Sequence, residues 1–189
     1  MNKKLKITFN SPIVLGFAAV CLVATILNYI TIGGSNRLLF MTYHSSLSSP
    51  MTYLRFFTHV FGHADWAHFI GNMSYILLLG PMLEEKYSSK VLLEVIAITA
   101  LITGLVNYVF FSQYALCGAS GVVFAFILLS SFTSFKDGEI PLTFILVAVL
   151  YIGQQIVQGI TLNDNVSNMA HIIGGIVGGA LGYGLNKKK

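Results

Sequence analysis

Charged residues are scarce in this chain. They make up 10% of its 189 residues, whereas hydrophobic residues make up 55%. A soluble domain of this length carries about 25% charged residues. The composition therefore argues against a water-soluble domain and predicts one integral membrane domain over residues 1–189.

Paired cysteines and metal-ligand motifs are also missing. Cys21 and Cys117 lie in apolar surroundings and form no C-x-x-C pair, so we interpret both as packing residues. His59, His63 and His68 are candidates for a metal site, with His59 and His63 at i,i+4 spacing. However, His63 and His68 are five residues apart, and no cysteine or carboxylate except Asp65 completes a set. Interfacial hydrogen bonding is the better interpretation of His59 and His63, and we expect no metal site.

Apolar stretches long enough to cross a bilayer recur six times along the chain. The first follows a basic N-terminus, as in a signal peptide, but it continues to about Gly34 without a cleavage site, which predicts a retained span. The pattern predicts an all-α, polytopic membrane protein with a long outer loop over residues 35–62. The predicted transmembrane helices are residues 11–33, 66–83, 91–111, 117–135, 140–160 and 166–186.

The basic residues predict the orientation of these spans. If the N-terminus is cytoplasmic, only Arg37 and Arg55 lie outside, and every lysine lies inside. The inner set is Lys3, Lys4, Lys6, Lys86, Lys90, Lys136, Lys187, Lys188 and Lys189. This asymmetry accounts for the net charge of +4 without any nucleic-acid partner. Both termini are expected in the cytoplasm.

Polar residues inside the spans are the candidates for function, because placing them in a bilayer is costly. His68 and Asn72 lie in the second span, Ser120 in the fourth and His171 in the sixth. Each lies near the start of a span that enters from the outer face, roughly 6–10 Å below the surface at 1.5 Å per residue. The topology therefore predicts a shared polar pocket that opens outward.

Helical spacing adds direction to this pocket. His68 and Asn72 are i and i+4 and share one face, and Asp65 is a candidate N-cap for their helix. His171 shares a face with Gly174 and Gly178, a stripe of small residues that lets another backbone approach closely.

The fourth span has a similar thin edge, formed by Gly118, Gly121 and Ala125. If the two thin edges meet, His171 comes within hydrogen-bonding reach of Ser120. Phe124, one turn below Ser120, is then positioned to stack on the imidazole.

These residue types suit acyl transfer by a serine. A neutral histidine removes the proton from a serine hydroxyl, which is otherwise a poor nucleophile. Backbone N–H groups near Ser120, with the side chains of His68 and Asn72, would stabilise the oxyanion. Since no acidic residue lies within the spans near His171, we expect a Ser–His dyad.

Each residue alone has a simpler interpretation. A serine beside glycines in a membrane helix is usually a packing residue, and an asparagine there usually forms hydrogen bonds between helices. A small transporter with a polar site at mid-membrane is an alternative, but the chain shows no convincing internal repeat, and the polar groups are shallow. The convergence of four polar residues at one depth favours an enzyme.

At this point the sequence resembles the rhomboid family of intramembrane serine proteases. The segment RFFTHVFGHADWAHFIGN is similar to the family signature through Arg55, His63, His68 and Asn72. The segment GASG resembles the nucleophile motif, and AHIIGGIVGG resembles the last-span motif. By this resemblance Ser120 and His171 are catalytic, His68 and Asn72 line the oxyanion hole, and the remaining residues give support. The supporting residues are Arg55, His63, Gly118, Gly121, Phe124, Gly174 and Gly178.

The resemblance implies cleavage of single-span membrane proteins near the outer face, without a cofactor. From the short chain without appended domains, we expect a multi-pass protein of a bacterial or archaeal cell membrane. The resemblance also implies substrate entry past the fifth span, a mobile cap over residues 161–169 and a structural role for Glu84. An inactive rhomboid-like protein that binds membrane proteins is the alternative, although such relatives usually lack the serine or the histidine. Three positions depart from the family pattern: Leu54 replaces a common tryptophan, Ser88 a glycine and Phe124 a tyrosine.

Overall fold

The computed structural model describes residues 8–133, 139–161 and 165–187. Within these ranges the chain is helical, and its single β-bridge pairs Thr42 with Leu116 in antiparallel orientation. The α-helices are α1 (Pro12–Ile30), α2 (Pro50–Thr58), α3 (Trp66–Tyr87), α4 (Ser89–Phe110), α5 (Ser120–Ser130), α6 (Leu142–Thr161) and α7 (Asn165–Asn186).

Six of these helices, all except α2, lie where the six spans were predicted. Helices α1 and α4 are long and apolar enough to cross a membrane by length and composition. Helices α3 and α7 have less apolar sequences because they include the polar residues of the candidate site. The six-span count itself stays a prediction.

The predicted fourth span, residues 117–135, is longer than the helix that forms there. Helix α5 has 11 residues and is roughly 16 Å long at 1.5 Å per residue. The helix does not start earlier, because Gly118 has φ of +129°, which is not a helical conformation. At the other end, the hydroxyls of Ser130 and Thr133 hydrogen-bond to nearby backbone carbonyls, which favours a turn.

The long loop between α1 and α3 contains helical structure of its own. It contains a π-helical turn (Asn36–Phe40), helix α2 and a 3₁₀ turn (His59–Phe61). The Arg55 side chain is buried, donates from Nε to the Leu38 carbonyl at 3.0 Å and lies over the Tyr43 ring. Arg55 therefore joins three parts of the loop.

Glu84 is buried where the N-terminus of α1 meets the C-terminal part of α3. Its two carboxylate oxygens accept from the backbone N–H groups of Ile13 and Val14, each at 3.1 Å. Ser89 Oγ donates to the same carboxylate at 2.6 Å. A helix leaves its first N–H groups without partners inside the helix, and a negative charge there is stabilising. Glu84 thus caps α1 from about 70 residues away in sequence.

Helix α5 lies at the centre of the protein and packs most extensively against α7. Its residues Phe126 and Leu129 are almost completely buried in the apolar core. A Cβ added to Gly174 of α7 would lie 2.1 Å from the Gly121 carbonyl oxygen of α5. Only a bare glycine backbone permits this approach, which positions the two helices that hold Ser120 and His171.

Some sequence predictions lie outside the described residues. The predicted cap, residues 161–169, includes residues 162–164, which the structure does not describe. The same applies to the lysines at the two termini and to Lys136, apart from Lys187.

Candidate functional site

The segment before Ser120 bends at Gly118. Gly118 has φ of +129°, a backbone conformation that residues with a Cβ rarely adopt. A Cβ at this position would lie 2.6 Å from Cε1 and 2.8 Å from Nε2 of His68, and 3.8 Å from Nδ2 of Asn72. The Gly118 backbone is therefore in close contact with His68 and faces Asn72.

The long loop between α1 and α3 holds this segment in place. Leu116 exchanges two backbone hydrogen bonds of 2.9 Å with Thr42, and the Gly118 N–H donates to the His59 carbonyl at 2.9 Å. These bonds leave little freedom for the chain that leads into α5. The N–H groups in the first turn of α5 have no carbonyl one turn earlier within the helix, so they remain available as donors.

His68 and Asn72 reach the site from α3, as their i,i+4 spacing predicted. Asp65 is the N-cap of this helix, and its Oδ1 accepts from the His68 N–H at 2.7 Å, which confirms the predicted cap. Asn72 is buried, and its Nδ2 has no hydrogen-bond partner among the residues that the structure describes. A buried amide donor without an acceptor is costly unless a ligand supplies one.

Ser120 is the first residue of α5 and is only partly buried. His171 lies on the neighbouring α7, and its ring stacks on Phe124 with centroids 4.4 Å apart and planes 6° from parallel. This confirms the predicted stacking. Phe124 is one helical turn beyond Ser120, so the imidazole lies against the face of α5 that also presents Ser120.

Glycine contacts make this pairing of helices close. Gly174 lies against the Gly121 backbone, and a Cβ on Gly178 would lie 2.2 Å from the Ala125 carbonyl oxygen. Two of the three residues predicted for the thin edge of the fourth span, Gly121 and Ala125, thus meet α7 as expected. The third, Gly118, lies before α5 and contacts His68 of α3 instead, so its predicted packing against the last span is wrong. The contact between α5 and α7 brings together one end of α5, with Ser120, and the part of α7 with His171.

A family model described as the rhomboid domain matches residues 50–188, which includes every residue of this site. The chain belongs to the rhomboid family.

Two curated relatives show the extent of this similarity. The "Rhomboid protease GlpG" of Haemophilus influenzae is 29% identical over 133 residues, which cover 68% of this chain and 68% of the relative. The protein of the same name from Salmonella newport is 29% identical over 131 residues, which cover 68% of this chain and 47% of the relative. This rhomboid therefore spans about two thirds of one relative and about half of the other.

A row of buried polar residues in α4 of this rhomboid is not among the residues predicted from the sequence. Thr99, Thr103 and Asn107 repeat at i, i+4 and i+8 and are at most 2% exposed. Thr103 Oγ1 lies 3.4 Å from His59 Nε2, which also lies 3.0 Å from the Ala100 carbonyl oxygen. The i,i+4 repeat was the available signal, but threonines in an apolar helix resemble packing residues.

Two buried histidines between α2 and α3 of this rhomboid, His59 and His63, have lowered pKa values. Burial lowers the pKa of His59 to about 4, partly opposed by its bond to the Ala100 carbonyl. Burial, and then the nearby positive charge of a protonated His68, lowers the pKa of His63 to about 4. Neither ring carries a charge near pH 7. Each ring hydrogen-bonds to a backbone carbonyl, His59 to that of Ala100 and His63 to that of Phe61.

Proposed function

We propose that this rhomboid is an intramembrane serine endopeptidase with Ser120 as nucleophile and His171 as general base. The curated relatives are named as proteases, and this chain contains Ser120, His171 and the glycines and Phe124 that pack around them. The observation that carries the proposal is the stacking of His171 on Phe124, one turn from Ser120, where Gly174 lies against the Gly121 backbone.

In the proposed reaction, His171 acts first as a base and then as an acid. Ser120 Oγ attacks the carbonyl carbon of the scissile peptide while His171 takes the hydroxyl proton. The tetrahedral intermediate collapses, the C–N bond breaks, and His171 gives that proton to the leaving amine. Water then attacks the acyl-serine by the same route in reverse, which releases the new carboxyl terminus and restores Ser120.

The oxyanion formed in each step needs donors that are already in place. Asn72 Nδ2 is a buried donor without a partner among the described residues, and it faces the Gly118 backbone together with the His68 ring. The N–H groups in the first turn of α5 add further donors and the positive end of a helix dipole. These groups come from two helices that other contacts hold rigidly.

The membrane arrangement is part of the proposal. Helix α1 and helices α3 to α7 would be transmembrane, with both termini cytoplasmic, in a prokaryotic cell membrane. The site would lie near the outer face, and the substrates would be single-span membrane proteins that enter past α6. The described Lys86 and Lys187 lie at the ends of α3 and α7 opposite to His68 and His171, as this orientation requires.

A fluorophosphonate probe, which phosphonylates activated serines, tests the proposal on detergent-solubilised protein. The wild type should be labelled, Ser120→Ala should not be labelled, and His171→Ala should be labelled far more slowly. Ser112→Ala, which removes an exposed serine elsewhere, should be labelled like the wild type. Equal labelling of the wild type and Ser120→Ala would reject the proposal, and absence of any labelling would favour an inactive binding protein.

Asn72→Ala separates an oxyanion donor from the nucleophile. Removal of one such donor costs about 10²–10³-fold in rate. We therefore expect slower labelling in a folded Asn72→Ala protein, with residual labelling above that of Ser120→Ala. Complete loss of labelling in this variant would contradict the assigned role.

A further inference from the structure

His63 lies directly behind the proposed oxyanion hole and is firmly held. Its side chain is 0% exposed. Its backbone carbonyl accepts from Nδ2 of Asn28 at 3.2 Å and from Nδ2 of Asn36 at 3.0 Å. Two amides from different parts of the chain therefore hold the His63 backbone.

The hydrogen bond of the ring defines its tautomer. His63 Nδ1 lies 3.1 Å from the Phe61 carbonyl oxygen. Since a carbonyl only accepts, Nδ1 is the protonated nitrogen, and in the neutral ring Nε2 has a bare lone pair. That Nε2 is buried and has no hydrogen-bond partner among the described residues. The bond to Phe61 therefore sets the orientation of the imidazole plane.

The His63 ring, oriented by this hydrogen bond, packs against the His68 ring. The centroids of His63 and His68 are 5.1 Å apart with planes at 72°, and Phe69 meets the His63 ring edge-on at 5.5 Å. His68 also lies close to the Gly118 backbone, because a Cβ added to Gly118 would lie 2.6 Å from its Cε1 and 2.8 Å from its Nε2. His68 thus contacts both the His63 ring and the main chain that leads to Ser120.

We infer that His63 is a positioning residue that acts through His68, because its edge-on ring keeps the His68 donor aimed at the oxyanion. The inference rests on the proposed function. It assigns His63 no contact with substrate. A misplacement of about 1 Å in such a site can cost about 10²-fold in rate. Loss of the His63 ring should therefore lower the rate measurably.

Two substitutions separate the ring from its hydrogen bond. His63→Asn retains an amide donor for the Phe61 carbonyl but removes the ring, whereas His63→Phe retains a ring but removes the donor. We expect His63→Asn to lower kcat for a single-span substrate by about tenfold or more with KM unchanged. We expect His63→Phe to stay within about threefold of the wild type. The reverse order, or wild-type kcat in both variants, would overturn the inference.

A double-mutant cycle separates positioning from general stabilisation. If His63 acts through His68, His63→Asn should change the rate less than twofold in a His68→Ala background. An equal fold-change in both backgrounds would show a merely structural role and overturn the inference. Should His63→Asn fail to fold, His63→Leu, which also lacks a planar ring, replaces it in the cycle.

Controls keep this result distinct from the proposed function. His44→Asn removes an imidazole that stacks on Tyr108, away from the site, and should leave kcat unchanged. A wild type that neither labels at Ser120 nor cleaves substrate would overturn the proposed function, and the inference with it. A labelled wild type with unaffected His63 variants would overturn the inference alone.

Discussion

Gly118→Ala should disable the site while leaving the protein folded. The added methyl carbon would lie 2.6 Å from Cε1 of His68, whereas carbon atoms in contact prefer about 3.5–4.0 Å. His68 or the Gly118 backbone must therefore move by about 1 Å. Since a shift of this size can cost about 10²-fold, and one oxyanion donor contributes about 10²–10³-fold, labelling of Ser120 should slow at least 100-fold.

The backbone adds a smaller effect on stability. An alanine at φ of +129° is strained by about 1–3 kcal/mol. For a chain of this size each kcal/mol shifts the melting temperature by about 2–4 °C, so the variant should melt roughly 2–12 °C lower. Labelling should be measured well below that temperature, so that lost rate reports geometry and not unfolding.

Gly71→Ala is the matched control for this prediction. Gly71 lies in α3 between His68 and Asn72, and a Cβ there would meet nothing within 4 Å. Its labelling rate should stay within about twofold of the wild type. A Gly118→Ala protein that labels as fast as Gly71→Ala would refute the tight contact between Gly118 and His68.

Three further predictions concern stability. Gly178→Ala should lower the melting temperature by roughly 2–12 °C, because its methyl would lie 2.2 Å from the Ala125 carbonyl oxygen and force α5 and α7 apart; overpacking of this kind costs about 1–3 kcal/mol. Ser88→Gly should raise the melting temperature by a few degrees, because Ser88 has φ of 82° and ψ of 156°, a strained region essentially reserved for glycine. Stability should also fall as the pH drops from about 6.5 to 4, because His59 and His63 bind protons near pH 6.5 only when unfolded; a depression from 6.5 to about 4 corresponds to about 3 kcal/mol for each ring.

These predictions have simple checks by thermal unfolding. Gly184→Ala, with nothing within 4 Å of its added methyl, should melt like the wild type, and equal melting of Gly178→Ala would contradict the close helix contact. Ser48→Gly, at an exposed loop position, should not stabilise, and a Ser88→Gly protein that melts lower than the wild type would show that Ser88 is not strained. A melting temperature that is constant between pH 7 and 4.5 would contradict the buried neutral histidines.

Local chemistry explains what could be predicted from the sequence. An aspartate three residues before His68 suits an N-cap, and the cap formed as predicted. The spacing of His171, Gly174 and Gly178 follows from helical geometry alone, and so does the placement of Phe124 one turn beyond Ser120. Such features depend on neighbours within one or two helical turns, which the sequence displays directly.

Contacts between distant segments explain what could not be predicted. The cap on α1 comes from Glu84, and no periodicity in either helix connects the two. The positive φ of Gly118 accompanies backbone hydrogen bonds from Thr42 and His59, in the loop between α1 and α3, to the segment before Ser120. Hydropathy extended the fourth span to residue 135 because it does not register hydroxyls, such as that of Ser130, that compete for backbone carbonyls near the end of α5.

Cleavage of a single-span membrane protein in liposomes tests the central claim most directly. The wild type should cut such a substrate once, near the outer membrane surface, while Ser120→Ala and His171→Ala should leave it intact and Ser112→Ala should cut it like the wild type. Equal cleavage by the wild type and Ser120→Ala would contradict the assignment of Ser120 as the nucleophile.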